Sequence, residues 1–87
     1  MLFVFSDDDT RVFWMKNTPV SLDIIFISHE GRVVSVAHGA RPYSNEPISS
    51  AGPARYVLEV AAGLAERYGI GGGNTVDLGP LGGLEAG

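Results

Sequence analysis

With 87 residues the chain has room for one small domain and one core, and such a domain buries only about two-thirds of the surface its unfolded chain exposes. A net charge of −4, with the six Lys and Arg scattered singly, argues against a nucleic-acid surface, which needs a basic stripe. The lack of cysteine excludes disulfides, thiol catalysis and thiolate zinc sites, and no apolar run approaches the roughly 20 residues that span a bilayer.

Leu2–Phe5 is a short apolar run, closed by the turn cluster Ser6-Asp-Asp-Asp-Thr10. With no basic lead and so brief an apolar run, this opening does not read as a secretion signal. Arg11–Lys16 follows as a strand, with Phe13 and Met15 on one face and Val12, Trp14 and Lys16 on the other. Asn17–Ser21 connects it onward, and Pro19 cannot donate to a ladder. Leu22–Ser28 carries Leu22, Ile24 and Phe26 on one face and Asp23, Ile25 and Ile27 on the other. Apolar residues on both faces place this strand at the centre of a sheet.

His29-Glu-Gly-Arg32 reads as a hairpin connection, its glycine free to take a positive φ. Arg32–Ala37 is then the antiparallel partner. Gly39–Pro53, rich in proline, serine and glycine, reads as a long surface loop, and its Arg41–Ala54 stretch as a mobile flap. Ala54–Val60 is another strand, with Tyr56, Leu58 and Val60 opposite Val57 and Glu59. Ala61–Tyr68 has helical composition and Gly69 as a stop, and spans about two turns. Thr75–Leu78 reads as a last strand and residues 79–87 as a flexible tail. Strands joined by hairpin-length links, with one late helix, indicate an α+β domain over residues 1–78: a mostly antiparallel curved sheet or open barrel with one short helix.

The segments "MLFVF", "FWMKNTPVSLDIIFI", "GRVVS" and "YVLEVAAGLAERYGI", in this order and spacing, resemble the bacterial and archaeal family catalogued as domain of unknown function 192. The resemblance runs from Leu2 to Leu78. It implies an α+β, barrel-like sheet and brings no established activity. Members carry a further strand and segment ahead of "MLFVF", so the resemblance implies an N-terminally shortened member with an uncovered sheet edge. That edge leads us to expect a homodimer, through pairing or exchange of Leu2–Phe5. Many relatives carry a secretion signal, which implies a periplasmic or secreted location. Several have cysteine in the loop corresponding to Arg41–Ala54, where this chain has Tyr43 and no cysteine. Their glycine-aspartate before the last strand is Gly73-Asn74 here. A function that depends on those groups does not carry over.

The candidate chemistry gathers at Lys16, Asn17, Thr18 and Asp23. If Arg11–Lys16 pairs with Leu22–Ile27, Lys16 faces Asp23 at the sheet end, with Asn17 and Thr18 nearby. Buried charges persist only when paired and hydrogen-bonded, so a mutually satisfied structural cluster outweighs a binding patch for an anion or polyhydroxylated ligand. Glu59 sits among apolar residues, as a partner for Lys16 or Arg55 or as a cap at the helix start. With Asp23 it makes the weak candidate for a two-carboxylate hydrolase site, which requires a defined spacing across a cleft. Trp14, on the Lys16 face, either packs or stacks on a sugar ring. His29 and His38 lack a third convergent ligand, so no metal is expected; no cofactor is expected either. Ser49 and Ser50 have no identifiable base partner.

These residues favour a non-catalytic domain of bacterial type. It would bind a small polar ligand (a carbohydrate or an anion) or a partner through Trp14, Lys16, Asn17, Thr18, Asp23 and Glu59. The alternatives are a hydrolase of carbohydrate or envelope components acting through Asp23 and Glu59, and a purely structural accessory module.

Overall fold

The computed structural model describes residues 1–75. Along the chain lie β1 (Leu2–Asp9), β2 (Val12–Phe13), β3 (Leu22–Ile27), β4 (Val33–Ala40), β5 (Ile48–Ser49), β6 (Ala54–Ala61) and α1 (Leu64–Arg67). Four strands form an antiparallel sheet in the order β1-β6-β3-β4, and β2 and β5 form a separate two-stranded ribbon. The result is the expected α+β arrangement, a curved sheet that stays open, with one short helix.

The apolar pattern of β3 makes it an inner strand, between β6 and β4, and every residue from Asp23 to Ile27 is buried. Ile24 and Phe26 join Met15, Ala54 and Val57 in one core layer. The β2–β5 ribbon roofs that layer, with Phe13 meeting both Phe3 and Phe26 edge to face, at centroid distances of 5.1 and 6.2 Å. On the opposite face, Ile25 and Ile27 pack with Val33, Tyr56 and Ala65, so α1 supplies part of the second layer. Burying a side chain such as Ile25 contributes roughly 1.5–3 kcal/mol, which explains why the central strand tolerates so few polar residues. No helix among the described residues is long and apolar enough to cross a membrane.

Several elements differ from their expected form. The aspartate run is part of β1 rather than a turn. Pairing resumes at Asp9 opposite Ala54 after Val4 opposite Tyr56, a five-residue step on β1 against two on β6. Arg11 and Arg55 hold this wide bulge. Arg11 donates to the Asp7 carboxylate at 3.0 Å, to the Asp7 carbonyl and to the Ala54 carbonyl; Arg55 pairs with Asp8 at 2.9 Å.

The strand expected over Arg11–Lys16 shrinks to Val12–Phe13 and pairs with β5, not β3. Both neighbours of β3 are longer strands, β4 and β6, which leave it no free edge. The long loop is tied down where it contains β5. There Ser50 N–H donates to the Arg11 carbonyl at 2.8 Å, and the buried Ser50 hydroxyl donates to the Gly52 carbonyl at 2.7 Å. The helix is confined to Leu64–Arg67 because β6 continues to Ala61, opposite Leu22. Of the last strand, Thr75 forms an isolated bridge with Arg32; the rest of that strand and the tail lie outside the described residues.

Candidate functional site

The polar end of the sheet is organised by Asp23, 1% exposed. One carboxylate oxygen accepts the Gly39 N–H at 2.8 Å, and the other accepts those of Gly63 at 2.9 Å and Ala65 at 3.0 Å. A single side chain thus joins the head of β3 to the end of β4 and to the start of α1. The helix needs this partner, because its first N–H groups have no intrahelical acceptor and Gly63 offers no side-chain cap. Burial pushes the Asp23 carboxyl up. The amides of Gly39, Ala65 and Gly63 and the charge of His38 outweigh that and hold it below the usual carboxylate value.

The expected Lys16–Asp23 pair does not form. The Asp23 oxygens are taken by backbone donors, and the chain turns away before β3: Thr18 N–H closes a tight turn onto the Met15 carbonyl at 3.1 Å. Met15 is drawn into the core, which throws Lys16 and Asn17 outward. Lys16 has no ion pair among the described residues; its ammonium lies 5.9 Å from the ring centre of Trp14. Trp14 is 51% exposed although its neighbours Phe13 and Met15 pack into the core layer.

Glu59 is likewise separated from Asp23. In the β3–β6 register Glu59 lies opposite Ile24, whereas Asp23 lies opposite Val60. Directly opposite residues share a face, so the two carboxylates project from opposite faces of the sheet. The half-buried Glu59 side chain joins neither Lys16 nor Arg55 in an ion pair, and the helix start is served by Asp23 instead.

Beside the Lys16 turn runs the Arg41–Pro47 loop. Tyr43 N–H donates to the Thr18 carbonyl at 3.0 Å, and Ser21 Oγ donates to the Ala40 carbonyl at 3.1 Å. These bonds bring Trp14–Thr18 and Ala40–Tyr43 to one end of the molecule. The loop encloses an open cleft of about 460 Å³ lined by Arg41, Pro42, Ser44, Asn45, Glu46 and Pro47. Tyr43 has φ 58°, the one positive value outside glycine among the described residues. It is 61% exposed. Arg41 and Tyr43 were not candidates on sequence grounds, since no pattern links a loop tyrosine to a turn 25 positions earlier.

A second polar cluster also escaped the sequence. Asp8 accepts from Arg55 and meets His29 Nδ1 at 2.5 Å, joining the β1 bulge to the β3–β4 turn. Partial burial pushes the Asp8 carboxyl up, and the hydrogen bonds and charges of His29 and Arg55 outweigh it, leaving the carboxyl below its usual value. Among the described residues no group of three His, Asp or Glu is placed to hold a metal ion.

The model of the DUF192 family, described as uncharacterized ACR, matches residues 1–78. The chain belongs to the DUF192 family. Two solved structures share its fold with a TM-score of 0.82 each. One is a protein of unknown function from Novosphingobium aromaticivorans DSM 12444, 44% identical over 86% of this chain and 54% of its own. The other, from Sinorhizobium meliloti 1021, carries the provisional label of transcription regulator and is 39% identical over 86% of this chain and 58% of its own. The DUF192 chain described here therefore spans little more than half the length of either. No curated protein matches it.

Proposed function

We propose that this DUF192 domain is a non-catalytic binding module for a small polar ligand, a carbohydrate or an anion, taken up beside Trp14, Lys16, Asn17 and Thr18. The observation that carries this is the half-exposed Trp14 with the Lys16 ammonium beside its ring. A half-exposed indole with a cation beside it is a surface for stacking and charge-assisted contact, and core packing does not account for it. Asp23 supports the site indirectly, by fixing the sheet end. A hydrolase reading loses its two-carboxylate centre, because Asp23 and Glu59 stand on opposite faces.

Trp14 is the single tryptophan of the chain, so its fluorescence reports on the site directly. Titration with sugars and simple anions should shift the emission and raise the melting temperature. If no sugar or anion does either, the binding reading fails.

Self-association is a second reading, favoured by β1, which has β6 on one side and no described strand on the other. A free edge is a template for pairing. Light scattering over a dilution series should show a dimer; a monomer mass at every concentration removes it.

A further inference from the structure

We propose that the ligand class is an acidic saccharide, its sugar faces set against Trp14 and Tyr43 and its carboxylate received by Lys16 and Arg41. This rests on the binding reading above and adds the chemistry of the ligand. The Thr18–Tyr43 hydrogen bond joins two segments of like composition. Each brings one exposed aromatic and, two residues from it, one exposed cation: Trp14 with Lys16, and Tyr43 with Arg41.

Charge and position together distinguish these cations. The chain has ten Asp and Glu against six Lys and Arg, so carboxylates are in excess. Arg11 and Arg55 have found theirs in Asp7 and Asp8. Lys16 and Arg41 are in no ion pair among the described residues, and both stand at the Thr18–Tyr43 junction. Arg32 and Arg67, which also lack an ion pair, sit elsewhere, on the β3–β4 turn and on α1.

The remaining groups suit a sugar. Arg41 also lines the adjoining cleft, where Ser44 and Asn45 are partners for hydroxyl groups and Glu46 is an acceptor for hydroxyl donors; Trp14, Lys16 and Tyr43 stand outside that lining. A bare inorganic anion has no use for two exposed rings. A neutral sugar has no use for two unpaired cations. A nucleic acid needs many phosphate contacts along a groove, which an acidic surface does not provide. Tyr43 is held at positive φ, a conformation that clusters at ligand clamps when the surroundings enforce it.

The test is titration of Trp14 fluorescence, checked by calorimetry, with a galacturonate oligosaccharide, its neutral galactose counterpart, inorganic phosphate and oligothymidylate. The acidic saccharide is expected to bind at least about tenfold tighter than the neutral one, the ratio that one charge-assisted contact supplies. Lys16→Gln and Arg41→Gln should each remove about that factor for the acidic sugar and weaken the neutral one by a smaller factor, so that the acidic-to-neutral ratio falls; an unchanged ratio overturns the acidic class. Both side chains are exposed, so unchanged melting curves establish that the variants fold. Equal binding of acidic and neutral sugars overturns the acidic class but leaves the binding reading intact. Phosphate bound in preference to sugar points to a simple anion site, tighter oligothymidylate to a nucleic acid, and either overturns the proposal. Silence from all four probes overturns both readings.

Discussion

The Asp23 carboxylate accepts the backbone N–H of Ala65, 42 positions further along the chain, at 3.0 Å. A four-residue helix has no stability of its own, since nucleating a turn fixes several residues for one hydrogen bond. The helix persists because a buried anion on the neighbouring strand receives its first amides. Asp23→Asn keeps the shape but turns an NH2 group toward one set of those donors. It is expected to destabilise the domain by about 3 kcal/mol, read as a lowered denaturation midpoint at unchanged slope.

The acid limb of stability should follow from the same group. Asp23 and Asp8 both titrate below 3.8 in the folded protein, so in acid the unfolded chain binds more protons and stability rises with pH. Their contribution is complete above the unfolded value and is lost as pH falls through 3.8 and on through the lower folded values. Melting temperatures measured across the acid range should drop there in the native protein, and less steeply in Asp23→Asn. Equal slopes in the two proteins would remove Asp23 from the account.

Lys16 is expected to be dispensable for folding. It is exposed and in no ion pair among the described residues, so Lys16→Met should change stability by no more than about 0.5 kcal/mol. Combined with Asp23→Asn it should add within about 0.5 kcal/mol. Strong non-additivity in that double-mutant cycle would mean that the two groups communicate after all.

Two glycines separate backbone strain from packing. Gly63 has φ 95°, and a Cβ there meets nothing within 4 Å, so Gly63→Ala should cost about 1–2 kcal/mol through the backbone alone. A Cβ on Gly52 would rest 3.5 Å from Val34 Cγ1, an ordinary contact, and this glycine is not among those at positive φ. Gly52→Ala should be neutral, or stabilising by less than about 1 kcal/mol. Thermal melts of the pair check both.

Tyr43→Asn tests whether stability and binding part company in the loop. Asparagine visits the left-handed region more readily than tyrosine, so stability should hold or rise by up to about 1 kcal/mol while saccharide affinity falls. A loss of stability would mean that the tyrosine ring packs against the loop rather than serving a ligand.

Much of the sheet was legible because its signals are local. The near-continuous apolar run of Leu22–Ile27 announces a strand buried on both faces, and the glycine at position 31 announces the turn into β4. That Trp14 and Lys16 share a face was readable from alternation, but that this face is exposed was not. What stayed hidden depends on partners distant in sequence. Asp23 was recognisable as a polar residue in an apolar strand, but its partners are backbone amides, which no side-chain pattern reveals. The aspartate run reads as a turn until Arg11 and Arg55 are seen to hold it as a bulge. The ribbon of β2 with β5 joins two-residue strands, too short to carry a period.

The strand order also bears on how the domain is made. Leu2 pairs with Leu58, and β6 supplies a neighbour to both β1 and β3. On the ribosome, β1 emerges long before β6 and has no described strand to pair with in the interval. Among the described strands, only β3 and β4 form a hairpin of sequence neighbours that can close early. Phe3 and Phe5 cannot gain their β6 neighbours while the middle of the chain is translated, and late pairing of this kind favours aggregation. Three of the four strands of the main sheet can be present without a domain. Arrival of β6 joins them at once, so a chain halted before Ala54 holds the β3–β4 hairpin without the sheet.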